Sequence, residues 1–257
     1  GSLAGDDLES GGTYNTFIGN NAGHENQLGD RNIAIGSGAM DASYINDTQD
    51  ALTVNNVFIG TDAGSGVWQT AASHSNIAVG ANTLASAMDG ATYNVAIGDA
   101  SSYGMTTGDS NTAIGTSTLF TNSTTSQNTV VGRYSGFFTT GADNTYLGFS
   151  AGKGGSGAEA NNVGVGTDAL LAVTTGGSNV AIGSGSMDAM AGDADTNTLN
   201  NGHRNIAIGV DAMGAVNAGS HNSALTDDNI AIGNDALLGA SFSAADLDLI
   251  GNIAIGS

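Results

Sequence analysis

The chain has 257 residues, with 24 acidic and only 4 basic side chains, so its formal net charge is −20. Such a charge repels nucleic acids and anionic lipid surfaces, and we expect neither as a partner. Cysteine is absent, which excludes disulfides and thiolate metal sites. No apolar run approaches the length of a membrane span, so no membrane insertion is expected. The polar residues are mostly Asn, Ser, Thr and Gly, a composition that favours an extracellular, cell-surface or virion protein.

A five-residue phrase, clearest as Asn32-Ile33-Ala34-Ile35-Gly36, recurs thirteen times along the chain. With its Asn as position zero, position one is always β-branched, position three is always Ile, Val or Leu, and position four is always Gly. Self-similarity at such a period indicates a repeat architecture. The copies begin 16 to 26 residues apart, at Asn15, Asn32, Asn56, Asn76, Asn94, Asn111, Asn128, Asn144, Asn162, Asn179, Asn205, Asn229 and Asn252.

The phrase predicts a strand in each copy, because it alternates with period two between a bounding Asn and a bounding Gly. One such unit is too short to bury its own core, so we expect the copies to stack as coils. The sequence therefore predicts an all-β fold: a parallel β-solenoid of about 13 coils of 16–26 residues, as a single domain over residues 1–257. Stacking would align the repeated Asn side chains in a ladder of amide hydrogen bonds along the axis.

The two faces of each predicted strand differ. Positions one and three share a face, which we assign to the core, and position seven, always small, forms a second wall. Position two points the other way and is Ala in eight copies, with Phe17, Phe58, Val130 and Tyr146 in others. A solvated face would carry polar side chains, so this stripe indicates a covering layer. Either a neighbouring protomer supplies that layer, or the chain itself does as a thin two-layer roll.

Two related groups of proteins have repeats of this kind. The stretch from Asn111 to Gln127, followed by Asn128-Thr129-Val130-Val131-Gly132, resembles the repeats of phage tail-fibre-like proteins. The phrase Asn-x-Ala-Ile-Gly-x-x-Ala is similar to the head repeats of trimeric autotransporter adhesins. The resemblance covers about residues 12–257. It implies a left-handed parallel β-roll, usually trimeric, in a surface fibre or adhesin.

The two ends of the chain suggest a mode of assembly. The last copy stops at Ser257, and when the end is written before the start, the junction matches the run 179–187. This match places Ser2 at position seven and Leu3 at position eight. Neither end carries a cap, and bare coil ends expose unpaired strand edges. Head-to-tail polymerisation is the first interpretation, and an excerpt from a longer repeating chain is the other. The residues expected at the junction are Gly1, Ser2, Leu3, Asn252, Ile253, Ile255 and Gly256.

The predicted function is a structural subunit of an extracellular filament that assembles head to tail. The alternative is an adhesin or phage tail-fibre module, homotrimeric in the families that it resembles, which binds a surface receptor or a glycan through its loops. We expect no enzyme, because no nucleophile, base and carboxylate constellation can be assembled from the repeats. Two N-glycosylation sequons, at Asn46 and Asn122, are further hypotheses about the surface.

Acidic residues cluster in the longest coils. Asp at position six would stack at a spacing of about 4.8 Å between coils, and like charges at that distance repel one another. Ca²⁺ with oxygen ligands would relieve the repulsion, whereas solvated acidic loops are the alternative. The candidate calcium ligands are Asp193, Asp195, Asp211, Asp227, Asp228 and Asp235.

Overall fold

The computed structural model describes residues 2–6, 12–24, 29–41, 53–67, 73–154, 159–173, 176–189, 202–214, 216–217, 226–241 and 249–257. Within these ranges every regular secondary-structure element is a β-strand. The described residues contain no helix that is long and apolar enough to span a bilayer. The chain divides into two compact units, Gly1–Asn128 and Thr129–Ser257. The same coil is repeated in both units, and the prediction of one domain over residues 1–257 stays a prediction.

Every copy of the phrase forms a three-residue strand. The strands of the first unit are β1 (Thr16–Ile18), β2 (Ile33–Ile35), β3 (Val57–Ile59), β4 (Ile77–Val79), β5 (Val95–Ile97) and β6 (Thr112–Ile114). The second unit has β7 (Thr129–Val131), β8 (Thr145–Leu147), β9 (Val163–Val165), β10 (Val180–Ile182), β11 (Ile206–Ile208), β12 (Val216–Asn217), β13 (Thr226–Asp227), β14 (Ile230–Ile232), β15 (Ala240–Ser241), β16 (Leu249–Ile250) and β17 (Ile253–Ile255).

Successive phrase strands pair in parallel within each unit, and the register places each position on the same position of the next coil. Ile77 pairs with Val95, for example, and Val79 with Ile97. The long coils of the second unit add two short parallel pairs, β12 with β15 and β13 with β16. The prediction of an all-β parallel solenoid is confirmed.

Four positions of the coil have a left-handed backbone. In the coil that begins at Asn76 they are Ser75, Gly80, Asn82 and Leu84, with φ of 60°, 137°, 53° and 47°. The same four positions, −1, four, six and eight, have positive φ in each of the twelve copies that extend that far. For a residue other than Gly this conformation costs on the order of 1 kcal/mol, so coil stacking must stabilise it. These kinks bend the chain sharply enough to close a short coil.

The close approach of successive coils is a second reason, besides the positive φ, why position four is always Gly. A Cβ on Gly80 would lie 2.6 Å from the carbonyl oxygen of Gly98 in the next coil, and Gly98 meets Gly115 in the same way. No side chain fits between backbones that approach so closely, and the φ of 137° excludes most other residues besides. The invariance of this Gly therefore follows from the stacking of coils.

The orientation that we predicted for the strands is wrong. Position two points into the coil: Ala78, Ala96 and Ala181 are 0% exposed, as is Phe58. Positions one and three point outward, and Ile97 is 37% exposed. The coil is too thin to hold two branched side chains from each strand, whereas the single side chain at position two fits. The second interpretation of the Ala stripe, a thin roll closed by the chain itself, is the one that the structure has.

Position eight lies opposite position two and fills the remaining space. Met40, Leu84, Leu119 and Met213 at position eight are all 0% exposed, and each shares its coil with an Ala at position two. Where position two is aromatic, position eight is Gly instead. The pairs are Phe17 with Gly23, Phe58 with Gly64 and Tyr146 with Gly152. A Cβ on Gly64 would lie 3.0 Å from the Phe58 ring. The two positions thus divide one fixed interior volume between them.

Candidate functional site

The repeated Asn residues form the predicted ladder. The Oδ1 of Asn76 accepts from the backbone N–H of Asn94 at 3.0 Å and from its Nδ2 at 3.2 Å. The Nδ2 of Asn94 also donates to the carbonyl of Gly108 at 2.7 Å. Asn76 is 0% exposed and Asn94 1% exposed. The repeated Asn therefore links successive coils and bonds a turn carbonyl inside the buried interior. The predicted amide ladder is confirmed.

Replacing Asn94 with alanine should lower the stability of the first unit by about 3 kcal/mol, because buried partners lose their hydrogen bonds. The backbone N–H of Asn111 would lose its acceptor at 2.9 Å, and the Gly108 carbonyl would lose its donor. Urea unfolding followed by circular dichroism measures the effect. Asn20→Ala, at an exposed position five, is the control and should change stability by less than about 0.5 kcal/mol. Equal effects of the two substitutions would contradict a structural role of the ladder.

The outer face of each unit is an exposed aliphatic surface, which we call the aliphatic ladder and define as positions one and three of the phrase strands. In the first unit Ile18 is 56% exposed and Ile77 39% exposed. In the second unit Leu147 is 49% exposed and Ile182 39% exposed. The members with large exposed side chains are Ile18, Ile33, Ile59, Ile77, Ile97 and Ile114 in the first unit, and Leu147, Ile182, Ile208, Ile232, Ile253 and Ile255 in the second.

The aliphatic ladder is uncharged throughout. Every residue at positions one and three of the thirteen copies is Ile, Val, Leu or Thr, in a chain with 24 acidic side chains. Six or seven strands about 10 Å long and about 4.8 Å apart cover about 300 Å² in each unit. The largest apolar patch on a typical monomer is about 300–600 Å² and is often functional. The ladder is therefore the strongest candidate for an interaction surface.

This surface differs from the one that the sequence suggested for lateral contacts. The Ala stripe at position two was the candidate face for a neighbouring protomer, and it is buried inside the coil. The residues of the predicted core provide the exposed face instead. The sequence analysis identified the alternation of the phrase correctly, but it assigned the exposed face, positions one and three, to the core.

Two of the candidate calcium ligands bind a cation of the chain itself. Asp228 accepts from Arg204 Nε at 2.6 Å, and Asp227 accepts from Arg204 Nη2 at 3.4 Å and from the backbone N–H of His203 at 2.8 Å. The hydrogen bond and charge of Arg204 hold the pKa of Asp228 below its ordinary value. These contacts account for the two carboxylates without a metal ion.

The remaining calcium candidates lie elsewhere. Asp211 and Asp235 occupy position six of successive coils, and Asp193 and Asp195 lie outside the described residues. Burial raises the pKa of Asp188, and the charges of Asp211 and Asp168 raise it further. Among the described residues no group of three or more His, Cys, Asp or Glu side chains could hold a metal ion. A calcium site stays a prediction.

The N-terminal residues stack on the first full coil, in a different register from the predicted one. The backbone N–H of Asn21, at position six, donates to the carbonyl of Ser2, and the N–H of Gly5 donates to Ala22, at position seven, both at 3.0 Å. In the other coils these bonds link position six to position five and position eight to position seven. Ser2 is therefore at position five and Leu3 at position six, two positions earlier than we predicted.

Of the other predicted junction residues, Ile253 and Ile255 lie in β17, and Asn252 and Gly256 flank it. Ile253 and Ile255 are 69% and 76% exposed, and the N–H of Gly256 donates to the carbonyl of Ile232 at 2.8 Å. Asn252 donates through Nδ2 to Oδ1 of Asn229 at 3.0 Å, so the amide ladder extends to this copy. Gly1 lies outside the described residues.

A buried carboxyl group was missed by the sequence analysis. Glu159 is 1% exposed, and neither of its carboxyl oxygens has a hydrogen-bond partner among the described residues. Burial raises the pKa of Glu159 to about 8. It occupies position −3, where eleven of the other twelve copies carry Gly, Ala, Ser or Thr. An alignment of the copies on that position would have revealed it.

One of the two sequons is not accessible. Asn122 is 0% exposed, and its Oδ1 accepts from the backbone N–H of Thr125 at 3.1 Å. The side-chain nitrogen that would carry a glycan lies in the interior, so the folded chain cannot be modified there. The other sequon, at Asn46, lies outside the described residues.

No family model, no curated protein and no solved structure matches this chain.

Proposed function

We propose that the chain is a structural module of a surface fibre, in which copies of the chain associate side by side through their aliphatic ladders. The observation that carries the proposal is the uncharged, exposed ladder on the outer face of both units. Covering this face with a second copy would remove branched aliphatic side chains from water at about 25 cal/mol per Å². The remaining surface, which carries the acidic side chains, would stay in solvent and keep the assembly soluble.

The repeated geometry favours a second copy as the occupant. All copies present the same side-chain types at the same spacing, so two or three ladders could interdigitate along their whole length. Side-by-side association in closed symmetry is the commonest arrangement of soluble homo-oligomers. The families that the repeats resemble are usually trimeric, which makes the homotrimer the first stoichiometry to test. Their fibres and adhesins lie outside the cell, and the composition of this chain favours the same location.

Head-to-tail assembly is a separate part of the proposal. The last strand, β17, has one neighbour, β14, and residues 2–6 provide the turn half of a coil. A strand from one subunit and a turn from the next would together form one coil. Ser257 and Ser2 both fall at position five, so the joint requires one of these two residues to be displaced. Lateral and head-to-tail contacts use different surfaces, so a fibre could contain both.

The decisive experiment measures the mass of the assembly by sedimentation and light scattering. The wild-type chain should form a discrete oligomer, whereas a chain with Ile114→Lys and Ile182→Lys should associate at least tenfold more weakly. The substitutions place charge on β6 in the first unit and on β10, the middle phrase strand of the second, where both isoleucines are exposed, at 37% and 39%. Folding should be unaffected, because these side chains do not enter the core.

A matched control carries the same charges two residues along the chain. Thr116 and Ser184 occupy position five of the same two coils and are exposed. Thr116→Lys with Ser184→Lys should leave the oligomer intact. A wild-type chain that stays monomeric at high concentration, or equal weakening by both pairs of substitutions, would exclude the ladder as the interface. Electron microscopy of the same samples distinguishes open fibres from closed oligomers.

A further inference from the structure

Two of the four cations of the chain gather around one tyrosine ring in the second unit. The guanidinium carbon of Arg133 lies 4.4 Å from the centroid of the Tyr134 ring, and Nζ of Lys153 lies 5.8 Å from it. Arg133 also donates through Nη2 to the hydroxyl of Tyr134 at 2.8 Å. Both contacts are within the range of cation–π attraction, which holds the two positive charges close together.

Exposed aromatic rings surround this pair. Tyr134 contacts Phe137 and Phe149 edge to face, with ring centroids 5.8 Å and 6.2 Å apart. Phe137 contacts Phe138 at 4.6 Å. Phe149 is 46% exposed and Phe138 39% exposed. We call this surface the aromatic patch; its members are Arg133, Tyr134, Phe137, Phe138, Phe149 and Lys153.

The cations of the aromatic patch lack a partner carboxylate in the part of the chain that the structure describes. Neither Arg133 nor Lys153 forms an ion pair with a carboxylate of the described residues, although the chain carries 24 acidic side chains. Arg204, by contrast, binds two aspartates. A guanidinium has five N–H donors, and one of those of Arg133 is used by Tyr134. The patch therefore presents spare donors and positive charge on a protein that is otherwise strongly acidic.

We propose that the aromatic patch binds a carboxylate-bearing saccharide. Exposed phenyl rings offer flat apolar faces that stack on the C–H faces of sugar rings, and the adjacent guanidinium binds a carboxylate in a bidentate manner. Arg133 and Tyr134 follow β7 while Phe149 and Lys153 follow the paired strand β8, so the patch spans two neighbouring coils. An extended ligand with one ring over each coil fits this arrangement.

The position of the patch argues against an acidic peptide as its ligand. Its residues lie on turns that follow β7 and β8, and within the second unit β7 pairs with β8, which also pairs with β9. Peptides are commonly bound by adding a strand to a free sheet edge or by a helix in a groove, and a turn surface offers neither.

This proposal is independent of the side-by-side association. The members of the aromatic patch occupy positions five to ten of their coils, whereas the aliphatic ladder comprises positions one and three. A chain that fails to oligomerise could still bind a saccharide, and an oligomer that binds none would still be a fibre module. The two proposals therefore fail separately.

Calorimetric titration of the full chain with a trimer of galacturonic acid tests the proposal, with the neutral galactose trimer as the comparison. We expect binding of the acidic trimer only, at least tenfold weaker in Arg133→Gln and in Phe149→Ser. Arg31→Gln removes the same charge from an exposed arginine in the first unit and should have no effect. Thermal melting of each variant verifies that it is folded.

Several outcomes would overturn the proposal. These are the absence of binding, equal binding of the neutral trimer, and unchanged affinity in Arg133→Gln. Binding of a triglutamate peptide as tightly as the acidic saccharide would make the patch a general carboxylate site. A self-association that Arg133→Gln abolishes would mean that acidic residues of a second copy occupy the patch. Each of these results is distinct from the weakened affinity that we expect.

Discussion

Phe58→Ala should destabilise the first unit by about 3–5 kcal/mol, and adding Gly64→Leu to the same chain should recover about half of that loss or more. Phe58 is 0% exposed and fills the interior of its coil, so its truncation leaves a cavity. In the next coil the same space is filled from the opposite wall, by Ala78 at position two and Leu84 at position eight. The double substitution converts the first arrangement into the second.

The single substitution Gly64→Leu should be destabilising on its own. Its Cβ would lie 3.0 Å from the Phe58 ring, and the rest of the side chain has no free space. The left-handed backbone does not prevent leucine, because Leu84 has φ 47° in the equivalent place. Chemical unfolding of the four chains gives a double-mutant cycle, and we expect a coupling energy of about 2–3 kcal/mol. Additive effects of the two substitutions would show that positions two and eight do not share one volume.

The strands and their stacking could be predicted because they depend on local and periodic signals. Asn at position zero, a β-branched residue at position one and Gly at position four recur in each copy, so each strand was located to within a residue. The ladder of Asn94 and its neighbours follows from stacking alone, since identical residues in successive coils come into contact. Neither inference required knowledge of which face is buried.

The alternation alone could not predict which face of each strand is buried. A period of two means that positions one and three share a face, but it does not indicate which of the two faces is buried. Hydrophobicity favoured the branched residues as the core, whereas the thin coil excludes them by volume. The information was present in longer-range pairs: Phe17 with Gly23, and Phe58 with Gly64, vary together as two residues sharing a space would. Comparing the copies for such compensation would have identified the interior.

The backbone kinks explain why the path of the turns and the register of Ser2 were not predicted correctly. Tyr93, Ser110 and Gln127 all adopt φ near 60° at position −1, although nothing in their side chains favours that region. Stacking on neighbouring coils imposes the conformation, so the turn path could not be derived from residue preferences. The register of Ser2 was misplaced for the same reason, because residue types alone were used to align it.

The candidate surfaces were foreseen only in part. Clusters of Asp in the sequence suggested metal ligands, but Arg204 binds Asp227 and Asp228 after the coils stack. The aromatic patch joins residues that are 16 and 20 positions apart, Arg133 with Phe149 and Lys153, and that separation equals about one coil. Residues one coil apart are neighbours in any solenoid, so an alignment of copies predicts such contacts once the period is known.

The stability of the second unit should fall as pH rises from about 4.5 to about 8, and Glu159 should cause most of the fall. Burial raises the pKa of Glu159 from 4.5 to about 8 in the folded chain, whereas the unfolded chain has the ordinary value. Between the two values the folded state keeps a proton that the unfolded state has released. Stability therefore decreases by about 1.4 kcal/mol per pH unit across that window, on the order of 5 kcal/mol in total, and levels off above it.

Glu159→Gln isolates this contribution, because glutamine has the shape of the protonated acid and does not titrate. The pH dependence of the variant should be flat where that of the wild-type chain declines, and the two stability curves should converge towards pH 4.5. Burial also raises the pKa of Asp188, which would add a decline of the same sign, so the difference between wild type and Glu159→Gln is the quantity to measure. Burial raises the pKa of Tyr146 as well, and since its ordinary value is 10, that group contributes nothing below pH 9. Parallel curves for the two chains would contradict a raised pKa of Glu159 in the folded chain.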